Sequence, residues 1–208
     1  MSDVITIRPK DDAAARQAST WCDEFTAAMT AGGHTIVEDV DDLSPADTKT
    51  IIAAFRRTAD LICYFGHGED DAWSTHGAVT VDGASILAAR GKCVISIACN
   101  TGRAMGPNAV TGGVASWLGF TIQVPVVSPY KTRDGFGEAI VEGLKTLVSG
   151  GTMQQARDDV SDALDALSRD FDTGGSLSGH AHAWLGHFGA IALHDHVTVN
   201  GTASVSPL

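Results

Sequence analysis

The sequence predicts an α/β fold in which a mostly parallel central sheet carries helices on both faces. Short apolar runs typical of strands alternate with segments of helical periodicity, and the connections between them are short. The 208 residues, of which 44% are hydrophobic, suffice to bury one sizeable core. We therefore expect residues 1–200 to form a single domain and residues 201–208 to form a frayed tail.

The first third of the chain is expected to form three strands separated by two helices. Gly32 and Gly33 end the first helix, and Ser44 with Pro45 supplies the cap and the first residue of the second. The predicted elements are a strand at 4–7, a helix at 12–29, a strand at 34–40, a helix at 45–58 and a strand at 61–66.

The middle of the chain is predicted to add two more strands of the main sheet. The predicted segments are a polar loop at 68–77, a short β segment at 78–83, a brief helix at 84–90, a strand at 93–98, a helix at 107–118 and a strand at 121–127. Pro125 has no amide hydrogen to donate to a β-ladder, so we expect the last of these strands at a sheet edge or with a bulge.

The C-terminal third is expected to begin with two helices, at 134–149 and 152–170, separated by glycines. A flexible stretch at 173–179 then precedes a strand-like pair around 183–188 and 190–197. This region is rich in histidine, at positions 180, 182, 187, 194 and 196. Zinc needs three or four ligands, and no Cys or Glu completes an obvious set, so we predict no metal site.

The composition favours some classes of partner over others. The chain carries 25 acidic and 14 basic residues, for a net charge of −11, which argues against nucleic acid or a membrane as partner and favours a basic peptide or protein. No apolar stretch approaches the roughly 20 residues of a membrane span, and the N-terminus does not read as a signal peptide. Four cysteines without CxxC spacing fit reduced thiols, so we expect a cytoplasmic protein.

The most informative residues are His67 and Cys99, each of which directly follows or closes an apolar, strand-like run. Parallel strands present their carboxyl ends at one edge of the sheet, so we expect the two side chains to lie close together. An imidazole near a thiol lowers the thiol pKa and can return the proton to a leaving amine. The pair is therefore interpreted as a catalytic base and nucleophile, with His67 favoured over His76, which lies in a polar loop.

Gly68, which follows the predicted base, is expected to contact the substrate. Without a side chain, Gly68 lets a substrate backbone approach, and its amide can donate to a developing oxyanion. The amide of Cys99 is the second expected donor. Cys22, Cys63 and Cys93 lie within apolar runs or helical positions and are interpreted as buried, inert thiols.

These two strand-end motifs carry a family resemblance. A strand ending in His67-Gly68, a strand ending in ACNTG at 98–102, and the turn at 128–130 resemble the caspase-like cysteine peptidases of the CHAT type, relatives of caspases, separase and gingipains. The similarity runs from about residue 59 to residue 156. It implies a caspase-like three-layer fold and peptide-bond hydrolysis by a dyad, here His67 and Cys99.

The resemblance also implies features around the dyad. It places the loop after the fifth strand beside the substrate, with contacts from Val127, Ser128 and Tyr130, and it supplies neither a metal nor an organic cofactor. Family members act in regulated proteolysis, including bacterial defence against phage, so it implies cleavage of a partner protein and a regulatory protein partner. Caspases and metacaspases place Gln or Asp two positions before the nucleophile, facing the specificity pocket, whereas this chain has Ile97.

Two alternatives for function and one for specificity stay open. The chain could be a catalytically silent caspase-like domain that binds or regulates a protein. A hydrolase of another type would place the nucleophile in a G-x-C-x-G elbow, whose leading glycine is missing here. The acidic run at 69–71, with Asp70 at its centre, favours a basic residue before the scissile bond, unless Arg103 turns into the pocket.

Overall fold

The computed structural model describes residues 1–208 apart from the side chain of Pro45. Its strands are β1 (Asp3–Arg8), β2 (Thr35–Asp41), β3 (Leu61–Phe65), β4 (His67–Gly68), β5 (Ala72–Thr75), β6 (Ala78–Asp82), β7 (Cys93–Ile97), β8 (Ser116–Phe120) and β9 (Val197–Gly201). Its helices are α1 (Ala13–Ala31), α2 (Thr48–Phe55), α3 (Met105–Thr111), α4 (Gly135–Val148), α5 (Met153–Phe171) and α6 (Ala183–His196). Short 3₁₀ turns lie at Pro45–Asp47 and Ser85–Ala89.

A six-stranded sheet in the order β2-β1-β3-β7-β8-β9 forms the centre of the fold. The first five strands in this order pair in parallel, and β9 joins the edge antiparallel to β8. The chain runs from β1 outward to β2 and then returns to the other side of β1 for β3. The strand order therefore reverses between β1 and β3, where open α/β sheets form a crevice at their carboxyl ends.

Both faces of this sheet are covered, as the sequence predicted. On one face, α1, α4 and α5 bury a core that includes Trp21, Phe25 and Phe136. On the other face, α2, α3 and the small sheet β4-β5-β6 bury a second core that includes Trp73 and Trp117. The α/β class with a mostly parallel sheet is confirmed, and no described helix has both the length and the apolar character needed to span a bilayer.

The helix expected at 107–118 is shorter than predicted, and the strand expected at 121–127 is misplaced. The helix ends at Thr111, and the strand is β8, where all five residues are buried in the sheet. Trp117 and Phe120 supply the apolar surface for this burial, while Pro125 is unsuited to a ladder. Residues 123–129 accordingly form an extended loop with neither helix nor strand.

The polar loop expected at 68–77 and the strand-like pair expected at 183–197 are also corrected. The loop contains β4 and β5, in which Trp73 is fully buried and stacks on Tyr64 with ring centroids 4.2 Å apart. The pair is the single helix α6, whose buried residues Gly186, Ala190 and Leu193 follow helical spacing.

The C-terminal residues make specific contacts. The amides of Met153 and Gln154, at the start of α5, donate to the carbonyls of Val205 and Ala203, each at 2.9 Å. These two hydrogen bonds attach residues 203 and 205 to the start of α5. The division into a single domain at 1–200 and a tail at 201–208 stays a prediction.

Candidate active site

Three strand ends converge on one edge of the main sheet. Asp12 follows β1, His67 follows β3, and Cys99 follows β7, and these three strands are adjacent in the sheet. Asp12 is also the N-cap of α1, where its Oδ1 accepts the Ala15 amide at 2.8 Å. Parallel pairing therefore delivers a carboxylate, an imidazole and a thiol to the same crevice.

The imidazole of His67 is held by Asp12. Its Nε2 lies 3.0 Å from Asp12 Oδ2, and the side chains are 35% and 54% exposed. The pKa of Asp12 is lowered by the hydrogen bond from the Ala15 amide and, more weakly, by His67, while partial burial opposes the shift. Asp12 was not among the residues that the sequence suggested, although an acidic residue after the first strand was a signal that could have identified it.

Cys99 differs from the other three cysteines by its partial exposure. Cys22, Cys63 and Cys93 are buried, as predicted, whereas Cys99 is half-buried. Burial raises the pKa of Cys22 to about 12 and that of Cys93 to about 11. The Sγ of Cys99 accepts the amide of Val124 at 3.4 Å, so the extended loop 123–129 contacts the thiol directly.

His67 and Cys99 line the same cavity, which has a volume of about 270 Å³. The other residues lining this cavity, called here the α1 cavity, are Ala14, Ala15, Ala18, Trp21, Gly66, Ile97, Val124 and Val126. Helix α1 forms one wall, and the loop 123–129 forms another. Gln17 ties these two walls together, because its Nε2 donates to the carbonyl of Val127 at 3.0 Å.

Gly68 lies against the backbone of Cys99. A Cβ atom built on Gly68 would be only 2.8 Å from the Cys99 carbonyl oxygen and 2.6 Å from Thr101 Cγ2. No side chain larger than hydrogen fits here without movement. The absence of a side chain thus permits the strand that carries the imidazole to approach the turn that carries the thiol.

The amides expected as oxyanion donors are not used by the β-ladder. Glu69 donates to the Ala72 carbonyl at 2.9 Å, and Gly68 pairs with Trp73 one step further along. Hydrogen-bonded and non-hydrogen-bonded pairs alternate in an antiparallel ladder, so the Gly68 amide does not donate to β5. Among the described residues, the Cys99 amide likewise has no backbone acceptor.

A buried network supports the turn after Cys99. Trp73 Nε1 donates to Ser96 Oγ at 2.9 Å, and Ser96 Oγ lies 2.9 Å from Thr101 Oγ1. Both hydroxyls are fully buried. Asn100 adopts a left-handed backbone with φ of 60°, which turns the chain out of β7 immediately after the thiol.

The structure brings some of the expected substrate contacts together and separates others. Ile97 lines the α1 cavity, and Val127 lines a neighbouring groove that also includes Cys99. Ser128 and Tyr130 line a different, smaller pocket near His180. Their role in substrate binding, like that of Val127, stays a prediction.

Asp70 also lies outside the α1 cavity. Its carboxylate is 3.5 Å from the guanidinium of Arg103, and both side chains are more than half exposed. Its carbonyl accepts the amides of Ala104 and Met105, at the start of α3. The acidic loop therefore connects to the surface of the next helix, and its proposed contact with substrate stays a prediction.

Three of the C-terminal histidines form hydrogen bonds with other parts of the fold. His180, His194 and His196 form hydrogen bonds with Ser128, Ser161 and Thr121. Within the described part of the chain, no three His, Cys, Asp or Glu side chains are grouped so as to hold a metal. The exposed His76 lies in a tight turn with φ of 53° and does not line the α1 cavity.

Comparison with known proteins gives a family and a set of similar folds. The model for Peptidase family C25 matches residues 3–143, more than half of the chain. The Arg-specific cysteine proteinase gingipain R has a TM-score of 0.57 and 14% identity, with 98% of this chain and 47% of that chain covered. A complex of the pro- and mature domains of Porphyromonas gingivalis RgpB has a TM-score of 0.56 and 14% identity, with 99% of this chain and 48% of that chain covered.

A third structure, of a protease, has a TM-score of 0.64 and 13% identity, with 99% of this chain and 48% of that chain covered. At these identities the similarity establishes the fold alone, and this chain spans about half the length of those proteins. A comparison with curated proteins found no match. The matching family model is that of family C25 rather than the CHAT type expected from the sequence.

Proposed function

The chain belongs to peptidase family C25, and from this premise we propose that it is a cysteine endopeptidase in which His67 and Cys99 act as the catalytic pair. One observation carries the proposal: the imidazole and the half-buried thiol line a single cavity at the carboxyl edge of a parallel sheet. The substrate class is a protein or peptide.

In the proposed reaction, the Cys99 thiolate attacks the carbonyl carbon of the scissile peptide bond. The hydrogen bond between His67 Nε2 and Asp12 leaves Nδ1 as the nitrogen available to the thiol. Nδ1 takes the thiol proton and returns it to the leaving amine, which departs as a thioester forms. Water, deprotonated by the same imidazole, then hydrolyses the thioester and restores the thiol.

Asp12 has a positioning role in this scheme. By accepting from Nε2–H, its carboxylate fixes the ring orientation and the tautomer that keeps Nδ1 unprotonated. The free amides of Gly68 and Cys99 are proposed to donate to the oxyanion of the tetrahedral intermediate. Donors of this kind lower the barrier because they are already oriented before charge develops.

Three further parts of the proposal rest on the sequence. The resemblance to the CHAT type suggests regulated cleavage of a partner protein, with a regulatory partner and a role in bacterial defence. The four unpaired cysteines suggest a cytoplasmic location. The CHAT relation stays a hypothesis beside the family assignment.

A cleavage profile tests the proposed activity. A peptide library prepared from a digested proteome is incubated with the wild-type protein and with three variants, Cys99→Ala, His67→Ala and His76→Ala, and new termini are identified by mass spectrometry. We expect cleavage by the wild type and by His76→Ala, and none by the other two. Undiminished cleavage by Cys99→Ala would overturn the proposal. Complete inactivity of the wild type, together with binding of an intact protein, would favour the silent domain.

A further inference from the structure

We propose that the α1 cavity selects an apolar side chain, that of the residue whose carbonyl is attacked. This inference rests on the proposed function and adds the substrate preference. It replaces the expectation of a basic residue, which was drawn from the acidic run at 69–71 and the net charge.

The walls of the cavity carry no acidic group. Apart from His67 and Cys99, the lining consists of glycine, alanine, valine, isoleucine and tryptophan side chains. Ile97 stands two residues before the nucleophile and is 2% exposed. A Lys or Arg side chain placed here would lose its hydration without gaining a charged partner, which is strongly unfavourable.

Two carboxylates next to this cavity, those of Asp134 and Asp12, are already engaged. Asp134, which contacts Trp21 on the cavity wall, accepts from Trp21 Nε1 at 2.6 Å and from Gln17 Nε2 at 2.8 Å. Its other oxygen accepts the Gly137 amide at 3.2 Å and so caps α4. Asp12 is bound to His67 and to the Ala15 amide.

The acidic residue expected to attract a basic side chain lies elsewhere. Asp70 lines no part of the α1 cavity, and Arg103 is its partner at 3.5 Å. Neither the acid nor the arginine turns into the cavity. The net charge of the chain therefore acts on a substrate only at long range, and salt weakens that attraction.

The size of the cavity suits a branched or aromatic side chain. An apolar cavity of roughly 150 Å³ already accommodates a benzene ring, and this one has a volume of about 270 Å³. The half of the substrate that forms the thioester stays bonded to Cys99 after the amine has left. A partly open pocket beside the sulfur therefore suits the acyl half, which stays there, better than the departing half.

The test is a positional peptide library that varies the residue before the scissile bond. We expect Val, Leu, Met or Phe to be cleaved at least about tenfold faster than Lys, Arg or Asp, since one methylene in an apolar pocket already changes rates by roughly ten- to 200-fold. Enrichment of Lys or Arg, with cleavage still dependent on Cys99 and His67, would overturn this inference and leave the proposed function intact. Cleavage independent of Cys99 would overturn both. Apolar enrichment only after the scissile bond would also refute it.

A charge introduced at the cavity mouth gives a second readout. Val126 lies on the loop, is 36% exposed and lines the cavity, so Val126→Asp is expected to fold and to raise the relative rate for Lys and Arg at least about tenfold. Val79→Asp is the matched control, because Val79 is 53% exposed on β6 and lines none of the pockets near Cys99. An equal shift in both variants would mean that charge acts at long range, against the proposal. Melting temperatures of both variants confirm that they are folded.

Discussion

Asp12 Oδ2 and His67 Nε2 form a 3.0 Å hydrogen bond across the point where the strand order of the sheet reverses. The other oxygen of the same carboxylate caps α1 by accepting the Ala15 amide. Helix α1 also forms a wall of the α1 cavity. One residue thus couples the orientation of the imidazole to the position of the helix that a substrate side chain would contact.

The substitution Asp12→Asn separates these two roles. Asn also caps helices, so we expect only the modest loss of stability that comes from removing the charge of the carboxylate. Loss of the carboxylate should lower kcat, but by less than the roughly 10⁴-fold seen for a buried triad, because this pair is substantially exposed. Steady-state kinetics on a cleaved peptide, with a melting curve as control, would measure both. An unchanged kcat would exclude a positioning role for Asp12.

The same variant tests the acid sensitivity of the fold. The folded-state pKa of Asp12 is lowered, first by the Ala15 amide. The stabilisation that comes with this shift is present above the unfolded pKa of about 3.9 and is lost as pH falls through the folded pKa. The difference in melting temperature between the wild type and Asp12→Asn should therefore shrink below about pH 4. A difference that is constant from pH 3 to pH 7 would contradict this.

Thiol reactivity should distinguish Cys99 from the other cysteines. Burial raises the pKa values of Cys22, Cys63 and Cys93, and the thiolate is the reactive form. We expect iodoacetamide to label Cys99 first in the folded protein, with the other three labelled only after denaturation. Peptide mapping by mass spectrometry identifies the site. Rapid labelling of Cys63 or Cys93 in the native state would show that β3 or β7 is misplaced.

Gly68→Ala should separate the base from the nucleophile. The new Cβ would meet the Cys99 carbonyl and Thr101, so we expect a loss of about 1–3 kcal/mol in unfolding free energy. A shift of the imidazole by about 1 Å can lower activity roughly a hundred-fold. Gly83→Ala is the matched control, because nothing lies within 4 Å of its built Cβ. Equal effects in urea denaturation and peptide cleavage for the two variants would refute the close approach.

Ser96→Ala should destabilise the turn that carries Cys99. The substitution leaves the buried Nε1–H of Trp73 without its acceptor, at a cost of about 1–3 kcal/mol. Ser149→Ala, at an exposed serine after α4, should change stability by less than about 0.5 kcal/mol. Urea denaturation of both variants measures the difference. A neutral Ser96→Ala would mean that the network does not support the turn.

The parts of the fold that the sequence predicted correctly have strong local signals. The runs at 61–65 and 93–97 are apolar enough to mark central parallel strands, and helices α4 and α5 end at glycine or capping residues. His67 and Cys99 could be identified because each follows such a strand. Signals carried by a few neighbouring residues were therefore enough to predict these features.

The errors arose where tertiary contacts decide the structure. Helix α6 exposes Trp184, Leu185 and Phe188 while burying Gly186 and Ala190, so its sequence lacks the usual contrast between a polar and an apolar face. An acidic residue after β1 was a local signal, but its pairing with His67 depends on the adjacency of β1 and β3, which the tertiary structure sets. The strand β8 was missed because residues 116–118 were assigned to the end of the helix expected at 107–118.

The position of Trp21 makes the α1 cavity accessible to spectroscopy. Among the four tryptophans, Trp73 and Trp117 are buried on the opposite face of the sheet, and Trp184 is 63% exposed on α6. Trp21 alone contributes an indole ring to the cavity wall, and its Nε1 is fixed by Asp134. An apolar occupant would change the surroundings of this one ring, so intrinsic fluorescence should report its binding. The measurement is made in a Cys99→Ala protein, which cannot turn over substrate, and the same protein with Trp21→Phe serves as the blank.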